Sequence, residues 1–168
     1  IITTFGFISN LELAEIMKKT LLLIIINISF TAFSISQSIE KAFSYIDAKD
    51  YEKALEVLNK LIEKDKNTFE AKYGFALIYS DTTYTKFNCT KAYSNAKFVM
   101  KKYEKFDAVR KEELKNDFGI TSESINRIIN KTSAYDLNIT KSYNTIETYN
   151  TFIEIYSETD LAKEAIIL

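Results

Sequence analysis

The sequence has no proline, no histidine, one cysteine (Cys89) and three glycines in 168 residues. Each shortage excludes something. Helix breakers are nearly absent, which favours long helices joined by polar turns. Three scattered glycines cannot build a G-x-G-x-x-G or P-loop phosphate cradle. Without histidine there is no Cys/His or Ser/His nucleophile pair, and most ordinary metal sites are gone as well. A lone cysteine cannot close an internal disulfide. Cys89 reads as a small residue at a helix start, with nothing nearby in sequence to lower its pKa. Neither sign of charge is in excess: 22 basic and 23 acidic residues give a net charge of −1, so there is no electrostatic case for nucleic acid. Lys101-Lys102 and Arg110-Lys111 are short basic pairs interrupted by acids, as on a solvated face. Glu112 and Glu113 diverge as helix neighbours and make no catalytic dyad. The chain is expected to be non-enzymatic, with no catalytic residue, cofactor or metal.

What is present is apolar. Hydrophobic residues make up 46 % of the chain and aromatics 14 %, enough for a core in one domain of ordinary size. The heavy use of Lys, Asn, Ile, Tyr and Phe matches an AT-rich coding bias, so the aromatics need no functional cause.

The N-terminal part has the three regions of a secretory signal peptide. Met17-Lys18-Lys19-Thr20 is the basic region, Leu21 to Phe33 the apolar one, and Ser34-Ile35-Ser36 the small-residue cleavage site. The apolar run covers 13 residues and is softened by Asn27, Ser29 and Thr31, whereas a spanning helix needs about 20. Met17 is the expected start, with residues 1–16 a non-native or disordered leader, 17–36 the signal peptide and 37–168 the mature domain. No stable membrane insertion is expected after cleavage; an uncleaved anchor is the alternative.

Within 37–168, Leu55, Leu58, Leu61 and Ile62 recur at helical spacing, as do Ile39, Ala42, Phe43 and Ile46. Only Ala48-Lys49-Asp50 separates the two runs, and so short a join makes antiparallel neighbours. Asp50 can cap the second helix. The unit is an αα-hairpin, and one hairpin cannot bury its apolar faces alone. A copy follows: Ala42 and Ala76 are 34 residues apart, as are Tyr45 and Tyr79. In the second helices, Ala54 followed by Leu58 is matched by Ala92 followed by Ala96, with four extra residues placed in the Thr-rich loop at 80–88.

A period of 34 with small and aromatic residues at these places resembles the tetratricopeptide repeat. The closing stretch, Tyr149-Asn-Thr-Phe-Ile-Glu-Ile-Tyr156-Ser-Glu-Thr-Asp-Leu-Ala162, is similar to a phrase common in tetratricopeptide proteins of bacterial envelopes. Ser38, Lys41, Lys66 and Ser157 stand where the family pattern has Trp, Leu, Pro and Pro. Small residues at helix crossings occur in unrelated bundles too.

Further helices are expected from Thr68 to Tyr79, Thr90 to Tyr103 and Phe106 to Phe118, the last ended by Gly119. Thr121 or Ser122 would cap the next, with Ile125, Ile128, Ile129, Thr132 and Tyr135 as its stripe, running toward Tyr143. Asn144 and Glu147 suggest a capping box before a helix whose inner face is Ile146, Tyr149, Phe152, Ile153 and Tyr156. Leu161, Ala162, Ala165 and Ile166 leave an apolar face at the end, so the native protein is expected to continue past Leu168.

The fold class expected is therefore all-α: antiparallel helical hairpins stacked as a tetratricopeptide-like α-solenoid. The resemblance implies repeat packing through Ala42, Tyr45, Ala54, Leu58, Ala76, Tyr79, Ala92 and Ala96. It also implies a partner groove lined by Phe43, Tyr73 and Leu77 for a protein or peptide; the same three would serve equally as core between hairpins. The functional expectation is an exported protein-interaction module of the bacterial envelope, periplasmic, outer-membrane associated or secreted. The alternative is an N-terminal spacer of a larger secreted protein.

Overall fold

A computed structural model describes residues 17–20, 39–64 and 68–167. The chain divides into two units, Ile1–Gln37 and Ser38–Leu168. Of the first, residues 17–20 are described and are helical; the leader at 1–16, the apolar run and the cleavage site lie outside the described residues. The second unit is all-helical among its described residues. Its helices are α1 (39–47), α2 (Tyr51–Lys64), α3 (Phe69–Ser80), α4 (Cys89–Tyr103), α5 (Ala108–Phe118), α6 (Ser122–Tyr143), α7 (Ile146–Tyr156) and α8 (Asp160–Ile167).

The turn between α1 and α2 closes with two backbone bonds, from the Lys49 amide to the Ile46 carbonyl and from the Asp50 amide to the Tyr45 carbonyl. That is the Schellman pattern, and it puts Lys49 in the left-handed region at φ 57°. Left-handed backbone is unfavourable for a residue with a Cβ. Lys49→Gly is therefore expected to be about 1 kcal/mol more stable than Lys49→Ala, both having lost the ammonium; paired urea titrations measure the difference. The expected Asp50 cap is weak: its carboxylate accepts from the Lys53 amide at a long 3.5 Å and pairs with the Lys53 ammonium at 2.6 Å.

Other helix ends follow local chemistry. Asn88 caps α4, which begins one residue earlier than the sequence suggested; Asp107 caps α5, leaving Phe106 just outside that helix. Gly119, at φ 64°, ends α5 as expected. Thr121 and Ser124 form the capping box of α6. The α7 box is Thr145 with Thr148, not Asn144 with Glu147. The reason is that Asn144 is already used as the left-handed C-cap of α6, at φ 50°.

Packing is organised around three linked cores. The first joins Ile39, Ala42 and Ile46 of α1, Ala54, Leu58 and Leu61 of α2, and Ala71, Phe75 and Ile78 of α3. The second joins α3, α4, α5 and α6 through Tyr73, Ala76, Ala92, Ala96, Leu114 and Ile125. The third joins Tyr93, Leu137, Phe152, Tyr156 and Ala165. Helix α3 belongs to two of these cores and is buried nearly all round. At Gly74 it comes so close to the first hairpin that an added Cβ would lie 2.9 Å from a Leu58 methyl. From α2 on, the principal neighbours are α2 with α3, α3 with α4, α4 with α6, α6 with α7 and α7 with α8, plus α3 with α6 and α6 with α8. Helix α5 stands outside that series.

Two expected stripes need correction. Tyr135 is 42 % exposed, because the buried face of α6 turns as the helix moves from α4 to α7: Ile125, Ile128 and Thr132 give way to Ser133, Leu137 and Thr140. Ile146 is 82 % exposed. It lies six residues before Phe152, roughly 120° away round the helix at 3.6 residues per turn. Among the described residues no helix is long and apolar enough to cross a membrane.

Candidate functional site

The three residues expected to line a groove do come together. The Phe43 ring of α1 stacks on the Tyr73 ring of α3 at 6.2 Å, and Phe43 and Leu77 both pack between the first two cores. They differ in access. Tyr73 is buried at 4 % exposure, while Phe43 and Leu77 are half-buried. A partner could therefore reach the edges of Phe43 and Leu77 but not the body of Tyr73. Burial raises the pKa of the Tyr73 phenol, whose hydroxyl faces Ser124 at the start of α6.

Helix α5 lies against α1 and α3 beside these residues. Phe118, the last residue of α5, meets Phe43 with ring centroids 5.1 Å apart. Phe106, just before the helix, meets Phe69 edge-on at 5.1 Å. Between them Arg110 pairs with Glu70 of α3, and Leu114 is fully buried in the second core. Phe106, Arg110, Leu114 and Phe118 recur every four residues, so α5 turns one line of contacts onto α1 and α3 while Val109 stays 70 % exposed. That spacing is visible in the sequence, but an interval of four fits any amphipathic helix and does not say which surface it covers.

The residues expected to mediate repeat packing are central. Ala42, Ala54, Leu58, Ala76, Ala92 and Ala96 all have 0 % exposure. Tyr45 and Tyr79 are half-buried, with Lys53 and Lys91 ammonium groups over their rings at 5.7 and 5.2 Å.

A polar lock that sequence reasoning missed ties the loop at 81–88 to the first hairpin. The Tyr51 hydroxyl donates to the Asp81 carboxylate. The same carboxylate accepts from the Thr83 amide and hydroxyl, each at 2.8 Å, and pairs with Lys49 at 3.3 Å. Beside it Tyr84 and Lys86 both bond Glu52, at 3.0 and 2.9 Å. The Tyr51 bond holds Asp81 well below the usual carboxylate range. Burial, then the neighbouring carboxylate, pushes Tyr51 up to about 12. The signs follow. The Asp81 contribution is present above the unfolded pKa near 4 and is lost as pH falls below it; the Tyr51 contribution is present below pH 10 and is lost as pH rises toward 12. Tyr51→Phe keeps the ring contact with Tyr84 but removes the hydroxyl. It is expected to cost about 1–2 kcal/mol at neutral pH and to flatten the loss of stability below pH 4; thermal melts at pH 7 and pH 3 read both.

Two further places hold polar groups. A surface groove of about 500 Å³ runs between α4, α6 and the α7–α8 turn, lined by Lys97, Lys101, Glu104, Asn130, Ser133 and Glu158. Lys97 and Glu158 close on each other at 2.7 Å across it. Cys89 is buried beside α6, and burial pushes its thiol up to about 11, which leaves it a weak nucleophile. The nearby Tyr156 hydroxyl is buried without a hydrogen-bond partner among the described residues; burial, then the Asp136 carboxylate, raises its pKa. No group of three acidic or cysteine side chains suited to a metal ion occurs among the described residues. Comparison with protein-family models, curated proteins and solved structures finds no match for this chain.

Proposed function

We propose that residues 37–168 form a non-enzymatic protein-binding module: a tetratricopeptide-like array of helical hairpins exported to a bacterial cell envelope. The carrying observation is the order of helix neighbours. If α1–α2, α3–α4 and α6–α7 are hairpins and α8 begins another, adjacent pairs are α2 with α3, α4 with α6 and α7 with α8. First helices then also touch first helices, α3 with α6 and α6 with α8. Those are the principal contacts, with α5 as an insertion between the second and third hairpins. The complete burial of Ala42, Ala76, Ala92 and Ala96 supports the same reading, since small side chains let helix axes approach closely.

In such an array α1, α3, α6 and α8 share one face, and Phe43, Tyr73 and Leu77 sit on it. That face is the place for a peptide or helical partner. Site-specific photo-crosslinking in the native host tests this. A photoreactive side chain at Leu77 should give one discrete adduct in the envelope fraction, and the same group at Lys60, exposed on α2, should give none. Equal adducts at both positions, or none at either, would count against the binding face.

A further inference from the structure

We infer that the surface of α1 and α3 beneath α5 is a helix-binding groove which the chain fills with its own α5, and that the partner it fits is an amphipathic helix of matching pattern. That pattern is aromatic, Arg, Leu and aromatic at intervals of four residues. The inference deepens the binding-module reading and rests on it.

Three observations carry it. First, α5 is not part of the helix array: α4 packs directly on α6, and α3 also touches α6. Those helix pairs therefore meet without α5 between them, while Leu114 completes the second core. Second, α5 is short for a core element. It has 11 residues and one buried side chain, Leu114, and isolated helices shorter than about 12–15 residues are marginal in water. Third, its seat is specific. Phe69 and Phe43 receive an aromatic ring at each end, at 5.1 Å in both cases. Glu70, with only 14 % of its side chain exposed, receives the Arg110 guanidinium between them. With α5 away, that carboxylate and the rings of Phe43 and Phe69 would lose these partners, so the groove selects a cation flanked by apolar groups.

A tethered helix competes with a free one at an effective concentration of order millimolar. A partner thus meets a groove already occupied, and its apparent affinity is reduced by the fraction of chains in which α5 is seated. The inserted helix is both the template for the partner and its competitor.

The test uses a fluorescent synthetic peptide of residues 104–121, titrated into the full chain by anisotropy. Phe118→Ala weakens the seating of α5, and Arg110→Glu, placed in the chain, weakens it by charge repulsion from Glu70 without touching an apolar contact. Both variants should bind the peptide at least ten-fold more tightly than the unaltered chain does. A peptide carrying Arg110→Glu should lose at least ten-fold on those variants, and should recover on a chain carrying Glu70→Arg. Helicity by circular dichroism identifies a variant that has unfolded; if Phe118→Ala has, the Arg110→Glu chain decides. Equal peptide binding by all folded chains, or none by the weakened ones, overturns the groove. Such a failure would leave the Leu77 crosslink intact if the module binds partners elsewhere, whereas loss of that crosslink would remove the binding face itself.

Discussion

Leu58→Ala is expected to destabilise the domain by about 2–5 kcal/mol, and adding Gly74→Ala to it should restore part of the loss. Leu58 has no exposed surface and sits where α2 is closest to α3. Truncating it removes transfer energy and leaves a cavity between rigid helices. In the unaltered chain the helix-propensity gain of Gly74→Ala, about 0.5–1 kcal/mol, is opposed by crowding, because the new Cβ would lie 2.9 and 3.2 Å from the two Leu58 methyls and 3.3 Å from an Ile46 methyl. With Leu58 shortened, that methyl enters the space the leucine left. The same substitution is thus more favourable in the shortened background, a coupling that only contacting residues show. Denaturant melts of the four chains give the cycle. Additive losses would mean that α2 and α3 do not meet at Gly74.

The second large effect lies one seam further along. Ala76 on α3 and Ala92 and Ala96 on α4 are all fully buried in the second core. Their small size is what lets the two helices lie close. Ala96→Leu inserts a branched side chain into that seam and should cost about 1–3 kcal/mol or more. Ala134→Leu, on the exposed side of α6, makes the same chemical change and should fall within about 0.5 kcal/mol of the unaltered chain. If the two substitutions cost the same, close approach of α3 and α4 is not what the alanines provide.

The all-helical character was legible because proline is absent and apolar residues recur at helical spacing. Ala42, Ala54, Leu58, Ala76, Ala92 and Ala96 were legible as buried because small or apolar residues at helical spacing mark the inward face of a helix. Three features were not. The helix boundary at Asn144 depended on a left-handed backbone that Asn adopts readily, and two polar residues in succession offered competing caps. The exposed Tyr135 depended on α6 changing partners halfway, which a single stripe cannot express. The Tyr51–Asp81 lock joins residues 30 apart, and neither has a local sequence signal that would pair them.

The candidate face was partly legible in the same way. Phe43 and Leu77 were picked out because each follows a small residue, Ala42 or Ala76, by one position, and Tyr73 lies a turn before Leu77. The seat of α5 beside them was not legible, because α5 is strongly polar and reads by itself as a solvated helix. Its four contact residues are sparse, and only the tertiary placement gives them a common target. The exposed acids Glu112, Glu113 and Asp117 on its outer side strengthen that appearance. A helix can be polar over most of its surface and still be seated by one line of side chains.

Helix α5 lies across the surface formed by α1 and α3. The most direct measurement is a nuclear Overhauser spectrum of the full chain with specifically labelled phenylalanine. Ring-proton cross-peaks are expected between Phe43 and Phe118, whose centroids are 5.1 Å apart, and between Phe69 and Phe106 at the same separation. Cross-peaks from Phe118 and Phe106 only to their own chain neighbours, in a folded helical protein, would contradict it.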